Sequence, residues 1–350
     1  MRAFWEEFQP CLRHDASLAS RDFCKLATRL ATTGHENRLS SHLASFDLST
    51  DIPVTYLDVG LAHPHPTLAV ADFVKALDVH KKIDALLFGN RVPQYEDFWR
   101  QWKQIQPNHP IYELHRENLG YCIPVAIQAD EGTSVKKKAL MVLAVQPLLG
   151  RGSRKRKADA WTPGLNFLGN SLVTRFLFSV MLAKLYSGKK SKNGPLLALV
   201  KHLCKQLRSL FLHGCTVKID GSAQHVFLVP LALKGDWPAL AKLGRLVRHH
   251  GRLTYNTEKG KGICHLCQGG MEGHAEWFDT SYNTMLAMRA ESPAPWNVEP
   301  DLTRLIPMDP SCKANFLKID VFHTCHKGFL ADLAANIIVP CLWKYWRKVP

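Results

Sequence analysis

Two aspartates and two cysteines are the residues of this chain whose types and settings could do chemistry. Asp130 follows the apolar stretch Ile123-Pro124-Val125-Ala126-Ile127-Gln128-Ala129, and Asp236 follows one that ends Leu233-Lys234-Gly235. Each acid sits just past a strand pattern, where a carboxylate leaves the core and can face solvent or a metal. Two such acids on neighbouring strands could share hard cations, Mg²⁺ or Mn²⁺. A pair of ions held this way clamps the attacking and leaving oxygens in phosphodiester cleavage. An acid after a strand is also commonplace as a helix cap or turn former, which requires no metal.

The cysteines lie in Gly262-Ile263-Cys264-His265-Leu266-Cys267-Gln268-Gly269-Gly270. A C-x-x-C spacing puts two thiols on one tight turn, and the glycines behind Cys267 let backbone amides approach the sulfurs, as in a structural Zn²⁺ knuckle. A closed tetrahedral site needs four ligands, so two more must come from elsewhere. The obvious donors lie in Asp320-Val321-Phe322-His323-Thr324-Cys325-His326. His323 is the first choice and His326 or Cys325 the second, with His265 and His274 as local alternatives. Such a site ties two distant segments together. The competing reading is a redox pair or two buried thiols, although no thioredoxin-like context surrounds them.

Basic residues form a third group. Lys242, Arg245 and Arg248 lie on a predicted helix that follows Asp236, and His249 and His250 come next. They read either as a phosphate-contacting surface or as a solvated helix face. Arg151, Arg154, Lys155, Arg156 and Lys157, flanked by Gly150, Gly152 and Ser153, form an exposed loop that is similar to a nuclear-import signal and could also contact phosphate. Ser222 and Cys325 lack the strained turn or Cys-His setting of a nucleophile.

These residues need a frame to position them. Val54 to Leu57 reads as a strand, Ala69 to Leu77 and Lys81 to Leu87 as apolar-periodic helix, and Tyr95 to Ile105 as an aromatic amphipathic helix. On the last of these, Trp99 and Trp102 share a face that could stack bases but is more simply core. Ile123 to Ala129 and Ala139 to Val145, joined by a short polar connection, read as a hairpin. Asn170 to Tyr186 and Leu196 to Leu212 have helical spacing and are separated by a Gly/Lys/Ser linker, which predicts a helical pair. Thr216 to Ile219 and Val226 to Leu233 read as strands. Ala239 to Val247 turns helical, with Pro238 suited to its first turn. The expected division is an accessory mixed or helical region over 1–115 and a core over 116–350.

Composition sets the outer limits. In 350 residues, 46% hydrophobic content fills a core, and a net charge of +15 favours a polyanion, DNA or RNA before an anionic membrane. The first residues carry early acids and no signal-length apolar core, and no apolar stretch reaches membrane-spanning length. The expectation is therefore an intracellular, nuclear protein with no membrane partner. Ten scattered cysteines with one close pair argue against a disulfide scaffold.

Taken in order, these pieces resemble the ribonuclease-H-like catalytic core of DDE transposases of the CACTA and Plavaka type, over roughly Tyr121 to Leu333. In that group a strand ends in the first acid and leads into a second strand. A later strand ends in an acid followed by Pro and a helix, and a C-x-x-C follows, then an acid or Cys two residues short of a His, as in Asp320-Val321-Phe322-His323. The resemblance implies an α/β fold, a mixed ribonuclease-H-like sheet with a helical insertion and a zinc knuckle. It also implies metal-dependent cleavage and joining of DNA through Asp130 and Asp236. The family's third acid, usually Glu, lies on a helix well beyond the last motif. Here Asp332 is the sole acid after Asp320. Either Asp320 or Asp332 substitutes for it, or the catalytic set is incomplete and the protein binds nucleic acid, or serves as a scaffold, without cutting. No amino-terminal DNA-recognition motif stands out before residue 120.

Overall fold

The computed structural model describes residues 52–133, 138–150, 164–165, 175–187, 193–249, 262–271, 279, 281–290, 292–320, 325 and 330–337. The chain divides into two units, Met1–Pro53 and Val54–Pro350. Within the expected accessory region, the sequence pattern of a short helix at Phe23 to Leu30 lies outside the described residues.

The second unit is built on a mixed sheet. Strand β1 (Val54–Leu57) pairs antiparallel with β2 (His65–Leu68), and the helices α1 (Val70–Val79), α2 (Asp84–Leu87), α3 (Val92–Ile105) and α4 (Ile111–Leu114) follow. The main sheet begins with β3 (Cys122–Thr133), β4 (Ala139–Pro147) and β7 (Phe176–Leu182), three antiparallel neighbours in sequence order. Between them, β5 (Leu149–Gly150) and β6 (Gly164–Leu165) form a small separate ladder. After α5 (Ala183–Tyr186) and α6 (Gly194–Leu212), the chain returns as β8 (Cys215–Ile219) and β9 (Ser222–Gly235). Strand β9 lies parallel to β3 on the side away from β4. Helix α7 (Trp237–Leu243) then leads towards α8 (Tyr282–Ala290), α9 (Asp301–Leu305) and β10 (Leu317–Ile319), which pairs parallel to β9. The order across the sheet is β10-β9-β3-β4-β7, with β8 on the first half of β9.

The central strands follow from their composition. Ile123, Val125, Ile127, Leu228, Val229 and Leu233 are each no more than 1% exposed, and such continuous apolar runs suit strands covered on both faces. Helix α6 buries Leu196, Leu199, Leu203, Leu207 and Leu210 at helical spacing, packing on β9 and α9. Each such side chain stabilises the fold by about 1.5–3 kcal/mol relative to exposure. Trp99 is fully buried and its indole Nε1 donates to the Cys122 carbonyl at 2.9 Å, so the aromatic face of α3 is core and anchors the start of β3.

Two expectations need correction. The described part of Asn170 to Tyr186 is mainly strand: Phe176, Phe178 and Met181 are buried while Leu177 and Val180 are partly exposed, which is a pleated pattern with a bulge. An apolar run of that length does not distinguish helix from strand by periodicity alone. The expected helical pair thus reduces to α6. Helix α7 also stops at Leu243, four residues short of Val247. The strands at Thr216 to Ile219 and Val226 to Leu233, and the helices near Ala69, Tyr95 and Leu196, stand as expected, with α2 covering only the end of Lys81 to Leu87.

The β3–β9 contact is closest at its last rung. A Cβ on Gly235 would lie 2.6 Å from the Ala129 carbonyl oxygen and 3.4 Å from the Ala239 Cβ. Gly235→Ala is therefore expected to destabilise the fold by about 1–3 kcal/mol, since the backbone at Ala129 must give way. Urea unfolding would read this as a lower midpoint, and an unshifted midpoint would contradict the close pairing.

Candidate functional site

The parallel ladder sets the position of the acids. Ala129 pairs with Gly235, and Ile319 pairs with the same Gly235 from the other side. The next residue of each strand is Asp130, Asp236 or Asp320, and the Asp320 amide donates to the Gly235 carbonyl at 2.9 Å. Neighbouring strands are about 4.8 Å apart, so three aspartates follow one another across one edge of three parallel strands. Asp130 lies inside the β3–β4 hairpin, opposite Val142, because that antiparallel ladder runs on to Thr133. It is thus the first residue beyond the parallel ladder but not the end of its strand, which corrects the expectation of a strand-terminal acid.

The three acids differ in their engagements. Asp236 is the N-cap of α7, its Oδ1 accepting from the Ala239 amide at 2.8 Å, with Pro238 in the first turn as expected. A cap satisfies one of the helix's free amides and stabilises it by about 1 kcal/mol. Asp130 is half-buried. No three His, Cys, Asp or Glu side chains among the described residues converge closely enough to hold a metal ion. The alternative third acid, Asp332, is exposed in the helical run 330–337.

On the opposite face of β3, Glu131 accepts from the Tyr186 hydroxyl at 2.9 Å and pairs with Lys242 of α7. The Lys242 ammonium also lies 5.8 Å from the Tyr186 ring centroid. Burial pushes the Tyr186 phenol well above its usual range, and the Glu131 and Asp236 carboxylates add to that. This cluster fastens α7, and so its capping acid, to β3.

Cys264 and Cys267 lie on the turn predicted for them. The Leu266 amide donates to the Cys264 Sγ at 3.3 Å and the Gly269 amide to the Cys267 Sγ at 3.4 Å, so each sulfur is met by the amide two residues on. The Cys267 thiol bonds to Cys264 and lowers the Cys264 pKa well below the ordinary thiol range; Cys267 is raised in consequence. Sulfurs so supplied with donors fit a thiolate-binding metal. Of the other candidate ligands, His323, His326 and His274 lie outside the described residues, and Cys325 is half-buried. His265 is 2% exposed, and its Nε2 is engaged with the Leu317 carbonyl at 3.0 Å.

The basic residues divide sharply. Arg248 is 2% exposed, and its Nη1 donates to the Cys264 carbonyl at 3.0 Å, the Cys267 carbonyl at 2.6 Å and Ser292 Oγ at 2.9 Å, while Nη2 donates to the Pro293 carbonyl. It is a buried pin of the C-x-x-C turn, not an exposed cation on a helix face. Lys242 is likewise used by Glu131. Arg245 is exposed, with a left-handed φ of 50°, just past the end of α7. Arg154, Lys155, Arg156 and Lys157 lie outside the described residues.

The sequence carried one further signal. Gln128-Ala129-Asp130, Lys234-Gly235-Asp236 and Lys318-Ile319-Asp320 repeat a polar residue, a residue of the parallel ladder and an aspartate. The repeat is visible only when the three strands are aligned in register. Compared with models of known protein families and with curated protein sequences, the chain matches none.

Replacing Arg248 by Met takes the guanidinium donor from the Cys264, Cys267 and Pro293 carbonyls. Arg248→Met is expected to cost about 3 kcal/mol and to expose Cys264 and Cys267 to thiol-labelling reagents at a raised rate. Labelling as slow as in the wild type, with an unchanged melting temperature, would remove Arg248 from this role.

Proposed function

We propose that the chain is a transposase-derived, ribonuclease-H-like protein that binds DNA and acts on its phosphodiesters at the edge bearing Asp130, Asp236 and Asp320. One observation carries the reading: the parallel β10-β9-β3 register aligns these aspartates on adjacent strands. Chemistry that shares cations between carboxylates asks for this arrangement, and sequence spacing alone could not supply it. Support also comes from the central position of β3 in a mixed sheet and from the amide-met sulfurs of the C-x-x-C turn.

Mg²⁺ or Mn²⁺, when bound, would lower the pKa of an attacking water or 3′-hydroxyl and stabilise the leaving oxygen. Asp130 and Asp236 would hold it, with Asp320 as third acid in place of the helix-borne Glu. The remaining work falls to the protein itself: Glu131, Tyr186 and Lys242 hold α7 against β3 and keep the two acids at fixed separation. Zn²⁺ at Cys264 and Cys267, completed by His323 and His326, would be structural. Nuclear location follows from the basic loop at Arg154 to Lys157.

A second reading, DNA binding or scaffolding without cleavage, is favoured by the engagement of Asp236 as a helix cap and by the lack of a converged ligand set among the described residues. No helix among those residues is long and apolar enough to cross a membrane.

Nicking of supercoiled DNA in Mg²⁺ or Mn²⁺ separates the two. Asp130→Asn and Asp236→Asn are each expected to lose about 100-fold or more in rate, the order seen when a group stabilising transition-state charge is removed. Asn caps helices as well as Asp does, so the second variant should still fold. Equal cutting by wild type and both variants would sink the catalytic reading. Elemental analysis should find one zinc per chain, lost in Cys264→Ser; a zinc-free wild type would remove the metal knuckle.

A further inference from the structure

Two lysines stand directly opposite each other on adjacent strands, one step inside the row of aspartates. The ladder pairs Gln128 with Lys234 and Lys234 with Lys318. Paired residues of a parallel sheet project from the same face, and residues two apart on a strand share that face. Lys234 and Lys318 therefore lie side by side, about 5 Å apart at the backbone, on the face to which Asp130 also belongs.

Like charges placed opposite one another in a sheet are destabilising. The surroundings do little to relieve this. Lys234 is half-buried, and its ammonium donates to a neutral amide, Gln146 Oε1, at 3.3 Å. Arg175 is close enough to repel it, with Asp320 as the acid that attracts it. Lys318 is exposed in the middle of β10, attracted by the Cys312 thiol and repelled by Arg289. Each lysine of the rung thus has a further cation within electrostatic reach, Arg175 for Lys234 and Arg289 for Lys318. Some other cations are consumed by the fold, Lys242 on Glu131 and Arg91 on Asp84 and Asp220. Here two lysines share one rung of the ladder, and the third residue of that rung, Gln128, is uncharged.

We propose that Lys234 and Lys318 seat a phosphate of a DNA strand one step along from the phosphodiester presented to Asp130, Asp236 and Asp320. The inference rests on the reading of that edge as a DNA-processing site and supplies what the acids lack. Aspartates repel a polyanion, and a strand can approach them only if neighbouring phosphates are held by cations. Gln128 offers an uncharged hydrogen-bonding group on the same face, and lysine binds phosphate as a compact point charge without fixing base identity. The seat is therefore indifferent to sequence. These lysines are positioning residues; they set the strand's place and not the chemistry at the acids.

The test is equilibrium binding of a fluorescent DNA oligonucleotide to the full chain in EDTA, across a salt series, followed by cleavage in Mg²⁺. Lys318→Gln changes an exposed side chain and should fold normally. It is expected to weaken binding several-fold and to reduce the slope of log K against log salt by about 0.7–0.9, the change that follows when one phosphate is no longer neutralised. Lys318→Arg should restore both. Lys234→Gln should act in the same direction, with far-ultraviolet circular dichroism to confirm its fold. Asp130→Asn should bind at least as tightly as wild type in EDTA. Unaltered affinity and slope in Lys318→Gln would overturn the phosphate seat, whatever the cleavage result. A lysine effect on binding with no cleavage by any form would leave the seat standing and defeat only the catalytic reading. Lysine-dependent binding of inorganic phosphate without binding of DNA would overturn the seat as a DNA contact.

Discussion

The pairing of β9 alongside β3 in parallel register is the interaction on which the rest of the structure depends. Antiparallel strands could be joined by a short turn, but a parallel partner needs a long crossover, and here the chain spends α5, α6 and β8 on returning to the same direction. Once Ala129 meets Gly235, the residues that follow are no longer independent. Asp130 and Asp236 become neighbours, α7 must start at the sheet edge, and the Ala129 carbonyl excludes any side chain at position 235. β10 then extends the same register to a third strand through the bond from the Asp320 amide to the Gly235 carbonyl.

Electrostatics explains how a chain so rich in cations keeps this edge together. Two of the cations are drawn into the fold. Arg248 is buried against three carbonyls and the Ser292 hydroxyl, and Lys242 is held between Glu131 and the Tyr186 ring. A buried guanidinium is tolerated when several of its donors find acceptors, and for Arg248 four hydrogen bonds meet that condition. These two cations act as internal fasteners, whereas Arg245 and Lys318 are exposed.

Much of this was legible in the sequence, and the failures have physical causes. The hairpin at Ile123 to Val145, the helix at Leu196 to Leu212 and the strand–acid–Pro–helix corner at Asp236 were readable because period, turn chemistry and capping agree there. Phe176 to Leu182 was misread because a short apolar run carries no period of its own when a bulge interrupts the pleat. Lys242 and Arg248 were misplaced because a basic residue near a helix looks solvated until a carboxylate or a set of carbonyls is brought to it by a distant segment. Register is also tertiary information, so the alignment of Asp320 with Asp130 and Asp236 could be suspected from the sequence but not read from it.

The C-x-x-C turn and the row of aspartates are parts of one construction. His265, between the two cysteines, bonds through Nε2 to the Leu317 carbonyl at the start of β10, and its ring lies 5.6 Å from that of Trp237, the residue after Asp236. The turn therefore touches both the strand that carries Asp320 and the helix start that carries Asp236. Only three residues of β10 pair with β9, a ladder too short to hold register by itself against strand slippage. The His265 contact supplies an anchor from outside the sheet, and Arg248 supplies the anchor of the turn that holds His265. A change that loosened the C-x-x-C turn would thus act on the separation of Asp236 and Asp320 without touching either.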